Sequence, residues 1–107
     1  MPFMRDHLLT EPTSAEVEAQ AGWQLLEFGT AWCGHCQAAQ PALRAFVEAN
    51  DLPHRKIEDG KGKPLGRAFK VKLWPTVMLL RDGLEVARVV RPVDSTDLAT
   101  LQGVLPD

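Results

Sequence analysis

The chain has 107 residues, 45% hydrophobic and 24% charged, which suits one globular domain over 1–107 with a two-sided core and leaves no length for two independent ones. A formal net charge of -2 lacks the basic excess of nucleic-acid binders, so no nucleic acid is expected as a partner. No apolar stretch is long enough for a secretory core or a membrane span, so the chain as given is expected to be a cytoplasmic monomer with no membrane partner.

Residues 1–12 carry little pattern and are expected to be irregular or to add a short edge strand through Leu8 and Leu9. Thr13 or Ser14 followed by Glu16 forms a helix-start signal, Gly22 a stop, and the short helix between them has a thin apolar face. Trp23 to Phe28 is a concentrated apolar run of central-strand length, interrupted by Gln24 and Glu27. From Cys33 to Ala49, Ala39, Leu43, Phe46 and Val47 recur at helical spacing, with Gln37, Gln40, Arg44 and Glu48 largely between them; Pro41 inside this helix predicts a kink.

His54 to Ile57 is a weaker strand expectation, followed by a loop from Glu58 to Gly62. Pro64 opens a short helix whose Leu65, Ala68 and Phe69 are expected to turn inward. Thr76 to Leu80 is a nearly continuous apolar strand, Asp82-Gly83 a hairpin turn, and Glu85 to Val90 the returning edge strand. Asp94 or Ser95 is expected to cap a last helix with an apolar stripe of Leu98, Leu101, Val104 and Leu105. The order is helix, strand, helix, strand, helix, strand, strand, helix. It predicts an α/β fold with a central mixed sheet and helices on both faces.

Seven of the twelve Lys and Arg lie between Arg55 and Lys72, opposed there only by Glu58 and Asp59. Such a patch suits a solvated loop and short helix, and could also steer an acidic partner.

The only two cysteines, Cys33 and Cys36, stand at a strand-to-helix junction. A cystine spanning three residues closes too short a loop to be architectural, so the pair is expected to do chemistry. Unpaired amides in the first helical turn favour a thiolate at Cys33, the attacking thiol. Cys36, one turn further in, is expected to be more buried and to resolve the mixed disulfide. His35 between them would, if protonated, stabilise the thiolate and make the couple more oxidising. No nucleotide or flavin fingerprint is present, so no cofactor beyond the Cys33/Cys36 redox pair is expected, and regeneration falls to an external reductant. A zinc site of Cys33, His35 and Cys36 would need a fourth ligand from elsewhere and is not expected.

Trp32-Cys33-Gly34-His35-Cys36, with Pro41 after it, Trp74-Pro75-Thr76 some way on and Asp82-Gly83 in a hairpin, resembles the thioredoxin family. Cys-Gly-His-Cys is similar to the active sites of protein disulfide isomerase domains, whereas the length looks like that of a bacterial thioredoxin. The resemblance implies a thioredoxin-like three-layer sandwich and a thiol-disulfide oxidoreductase of protein disulfides. Its implied partners are disulfide-containing proteins and an electron donor, a thioredoxin reductase or a low-molecular-weight thiol, in electron transport and cell redox homeostasis.

It also implies a cis Pro75, with the backbone of Trp74 pairing with the substrate chain and Thr76 completing the loop. Glu27 matches a buried aspartate that moves a proton to or from the second cysteine, and Lys56 matches a lysine near that acid. Buried and unpaired, Glu27 would have a raised pKa; the alternative is a solvent-facing strand residue. Trp32, Gly34, His35, Trp74, Val90 and Arg91 would line the substrate side, with Trp32, Trp74 and Val90 as an apolar rim. Two departures stand out. Gly29 replaces an aromatic residue and is expected to open the groove beside Cys33 or loosen the backbone, and Arg91-Pro92 replaces a glycine at the docking surface. An oxidase or isomerase of protein disulfides and a non-catalytic interaction module are the alternative functions.

Overall fold

The computed structural model describes residues 3–106; Met1, at the start of the region expected to be irregular, lies outside them. The elements are α1 (Ser14–Ala19), β1 (Trp23–Gly29), α2 (Gly34–Asn50), β2 (His54–Glu58), α3 (Pro64–Ala68), β3 (Thr76–Arg81), β4 (Leu84–Val90), a 3-10 turn (Thr96–Leu98) and α4 (Ala99–Val104). The order matches the sequence expectation. The four strands form one sheet in the order β2-β1-β3-β4, with β1 parallel to β2 and antiparallel to β3, and β3 antiparallel to β4.

Period-two alternation sorts the strand side chains onto two faces. Leu25 of β1 and Val77 and Leu79 of β3 pack with Leu43, Phe46 and Val47 of α2 and with Leu98 and Leu101 near the C-terminus. Leu26, Phe28, Met78 and Leu80 point the other way, onto Val17 of α1 and Leu65 of α3. This is the three-layer sandwich. Each fully buried Leu or Phe contributes about 1.5–3 kcal/mol relative to exposure, and β1 and β3 supply such residues to both layers. The same alternation puts Glu27 on the α2 side, beside Lys56 in the parallel register, with His54 two residues before Lys56.

Thr13 caps α1 in a reciprocal box with Glu16, whose carboxyl is held below its usual range by those bonds. Val17 is the one buried residue of that helix. The Asp82-Gly83 turn has φ of 52° and 82°, the paired positive angles that match a hairpin to strand twist. Its Asp82 carboxylate also accepts the Gly22 amide at 2.7 Å.

Residues 3–12 take the irregular alternative: no strand forms among them, Leu8 donates one backbone bond to Lys56 and packs on the second core, and Leu9 is exposed. Two local expectations are corrected. Ala68 faces solvent, because a five-residue helix has room for one inward turn and Leu65 takes it. The last helix begins as a 3-10 turn in which Asp94, the first of the two expected caps, accepts the Asp97 amide at 3.1 Å while the Asp97 carboxylate accepts the Asp94 amide; Val104 of the expected stripe is left exposed.

Candidate active site

β1 ends at Gly29, and the chain turns through Thr30-Ala31-Trp32 into α2, for which Cys33 is the N-cap. The Cys36 amide donates to Cys33 Sγ at 3.2 Å, so the first thiol uses one of the helix's unpaired donors. Both cysteines are free thiols, and Cys36, 2% exposed against 8% for Cys33, is the deeper of the two. Burial, and then its contact with Cys33, pushes the Cys36 thiol up to about 12, with a Thr30 backbone bond opposing. One sulfur is presented at a helix start; the other is held back as a protonated thiol.

The Trp74–Pro75 bond is cis. It brings the Trp74 carbonyl to 4.0 Å from Cys33 Sγ. Thr76 is buried and its hydroxyl donates to the Leu73 carbonyl at 2.6 Å. The Trp32 and Trp74 rings meet edge to face with centroids 5.6 Å apart, and the Trp74 indole N–H donates to Asp59 Oδ2 at 2.8 Å. Trp32 and Val90 are exposed beside the half-buried Trp74. Gly34 and His35 are exposed on the first turn of α2.

Arg91, with φ of 55° in the left-handed region, folds its side chain back so that Nε donates to the Trp74 carbonyl at 2.9 Å. A backbone acceptor next to the nucleophile is therefore already covered by a residue of the same chain.

The Gly29 expectation is overturned. Gly29 is buried, and a Cβ built there would overlap Cys36 Sγ. The missing side chain is space used by the second thiol.

Glu27 is 1% exposed and paired. Its Oε1 lies 2.9 Å from His54 Nε2 and its Oε2 accepts from Gln40 Nε2 at 2.8 Å. The Met4 amide donates to His54 Nδ1 at 2.7 Å, so Nδ1 is an acceptor and Nε2–H is left as the donor to Glu27. With partners on both oxygens, the buried Glu27 is paired, in place of the unpaired or solvent-facing acid expected. Lys56 reaches Glu27 only through Gln40, whose Oε1 accepts from Nζ at 2.9 Å. Gln40 Nε2 also donates to the Cys36 carbonyl at 2.9 Å, joining the network to the helix turn that carries the second thiol. Burial and the nearby Lys56 lower the pKa of His7 at the edge of this cluster.

The structure thus gathers Cys33, Cys36, Trp32, Trp74, Pro75 and Arg91 at one end of the sheet, with Glu27 and Lys56 beneath. Sequence reasoning missed His54, Gln40 and Asp59. The signals for two were present: His54 shares a strand face with Lys56 at period two, and Gln40 is one helical turn beyond Cys36. Among the described residues, no group of three or more His, Cys, Asp or Glu is arranged to hold a metal ion, and no helix is long and apolar enough to cross a membrane.

Two thiols of unequal burial at a helix start, facing a cis-proline loop at the end of a mixed sheet, define a dithiol-disulfide oxidoreductase. The family model described as Thioredoxin matches residues 7–102, and the chain belongs to the thioredoxin family. It is 38% identical over 85 residues to a thioredoxin of Chlamydia pneumoniae, covering 76% of this chain and 80% of that one. It is 37% identical over 67 residues to protein disulfide-isomerase A4 of Bos taurus, covering 58% of this chain and 10% of the relative. Among solved structures, reduced thioredoxin 2 from Pseudomonas aeruginosa PAO1 matches with TM-score 0.79 and 50% identity over 92% of this chain and 94% of that one.

Proposed function

We propose that the protein reduces disulfides of protein substrates through a Cys33/Cys36 dithiol-disulfide cycle. The observation that carries this is the inequality of the two sulfurs: Cys33 Sγ accepts an amide at the start of α2, whereas burial holds the Cys36 proton up to about 12. The Cys33 thiolate attacks one sulfur of a substrate disulfide. A Cys33–substrate bond forms, the substrate S–S bond breaks, and the departing thiolate takes up a proton. Cys36 then loses its proton and attacks Cys33 Sγ, releasing the second substrate thiolate and leaving a Cys33–Cys36 disulfide. Two electrons have passed to the substrate, and an external reductant, a thioredoxin reductase or a low-molecular-weight thiol, restores both.

Glu27 receives the Cys36 proton in this reading, Gln40 links it to the Cys36 turn, and His54 holds it in place. Lys56 orients Gln40. On the substrate side an extended chain lies across Trp32, Trp74 and Val90, and Arg91 swings off the Trp74 carbonyl so that the incoming backbone can donate to it. Reduction of insulin by dithiothreitol, followed as turbidity, tests the cycle. Wild type accelerates it and Cys33→Ser does not; equal rates in the two would leave a non-catalytic module.

His35, exposed between the thiols, favours a second reading as an oxidase or isomerase. The potential of the pair separates the directions: close to about -270 mV supports a reductase, close to about -180 mV an oxidant.

A further inference from the structure

Five of the twelve Lys and Arg, and none of the fourteen acids, lie between Lys61 and Lys72, in a chain whose net charge is negative. A solvated charge run would spread them outward along one element. Here three segments converge: the turn from Gly60 to Lys63, the helix α3, and the return through Lys70, which holds φ of 60°. Lys63, Arg67, Lys70 and Lys72 surround a cleft of about 300 Å3, with Asp59 as its one carboxylate-bearing residue. Among the described residues none of these four cations forms an ion pair within 4 Å.

Asp59 does not neutralise them freely. Its Oδ2 accepts the Trp74 indole N–H, and its carboxylate packs against Gly66, where a side chain would collide with it. Asp59 is instead the joint between the cleft and the active site, since the Trp74 it holds has its carbonyl 4.0 Å from Cys33 Sγ. A chain leaving the nucleophile over Trp74 is led toward the cleft by the Trp74–Asp59 contact, each extended residue covering about 3.3 Å.

We propose that this cleft docks an acidic segment lying within about five residues of the disulfide in the protein substrate, which makes acidic-flanked disulfides the preferred substrate class. Like charges around a concavity focus the field and raise the local concentration of an oppositely charged ligand, increasing association rates by about 10–1,000-fold. The preference fades with salt as the Debye length falls from about 30 Å at 0.01 M to about 10 Å at 0.1 M. A nucleic acid fits less well, because the acids other than buried Glu27 and cleft-lining Asp59 lie outside the cleft and would repel a longer polyanion. The proposal rests on the reductase reading for its kinetic readout only.

The test uses two disulfide-bridged peptides, one flanked by four aspartates and the other by four asparagines, reduced by wild type and by Arg67→Glu/Lys70→Glu/Lys72→Glu, whose three altered side chains are exposed. At 10 mM salt the wild-type ratio of kcat/KM, acidic over neutral, is expected to be about 10 or more, dropping toward 1 at 0.3 M salt and at or below 1 in the variant. A wild-type ratio near 1 at low salt overturns the proposal, as does a variant that loses activity on both peptides in equal proportion. Fluorescence anisotropy with a non-reducible acidic peptide, its cysteines replaced by serine, on Cys33→Ser/Cys36→Ser protein reads the cleft without catalysis. Tight, salt-sensitive binding there alongside no reduction by wild type would sink the reductase reading and keep the docking site. Displacement of that peptide by inorganic phosphate or a short RNA at lower concentration than by unlabelled peptide would overturn the assignment to a protein segment.

Discussion

Replacing His54 by leucine isolates what the buried network contributes. The variant removes the Nε2–H donor to Glu27 Oε1 and the Nδ1 acceptor of the Met4 amide, leaving a carboxylate at 1% exposure with Gln40 as its one remaining side-chain donor. A hydrogen bond to a charged acceptor is worth about 1.5–3 kcal/mol and a stranded amide costs about 1–3 kcal/mol. The expected loss is therefore about 3–5 kcal/mol, which at about 4–8 °C per kcal/mol for a domain near this size lowers Tm by at least about 12 °C. The informative comparison is Glu27→Leu/His54→Leu, in which no charge remains to be stranded. Replacing both members of a buried polar pair by apolar residues is often neutral or stabilising relative to breaking it, so the double variant should recover about 2 kcal/mol of the single variant's loss. Urea unfolding of the reduced proteins at pH 7, followed by tryptophan fluorescence, measures all three. Strictly additive losses, with the double variant less stable than His54→Leu, would refute the claim that His54 acts by holding a Glu27 carboxylate.

Gly29→Ala puts a methyl where Cys36 Sγ lies and is expected to force that thiol into another rotamer at about 1 kcal/mol; slower decay of a Cys33 mixed disulfide in stopped-flow would show it. Arg91→Gly removes both the covering bond on the Trp74 carbonyl and a left-handed non-glycine residue, so KM for a disulfide peptide should fall about 3–10-fold with stability within about 1 kcal/mol of wild type. A rise in KM would show that Arg91 helps hold substrate. The raised Cys36 pKa also has a stability consequence: the folded state binds this proton more tightly than the unfolded chain does. The stabilisation is full below the ordinary thiol value of 9.0 and is lost as pH climbs toward about 12. Reduced wild type should therefore lose stability relative to Cys36→Ala between those values, as urea midpoints at stepped pH would record.

Much of the fold was legible because strand and helix periods differ. Leu25/Leu26 and Val77/Met78/Leu79/Leu80 are two-faced runs that only a sheet covered on both sides accommodates, and the Asp82-Gly83 step specifies its hairpin. The dithiol and cis-proline loop were legible through local motif and resemblance. The partners of Glu27 were not, because pairing across β1 and β2 depends on register, and a polar residue such as Gln40 reads as solvent-facing until a buried acid is set beneath it. The role of Gly29 was misread for the reverse reason: sequence shows that a side chain is missing, and only packing shows what fills the space.

The two sides of the dithiol are thus governed by different physics. Beneath Cys36, Glu27 and His54 are buried, with Lys56 and the half-buried Gln40 beside them, so substitutions there act through unsatisfied polar groups. Above Cys33, Arg91 and the exposed Trp32 meet solvent beside the half-buried Trp74, where a hydrogen bond such as Arg91 to Trp74 is cheap to exchange for one from an incoming chain. If the proposed cycle and docking cleft hold, variation at Arg91 or around the cationic cleft is expected to alter which disulfide arrives, and variation at Glu27 or His54 to alter how the mixed disulfide resolves.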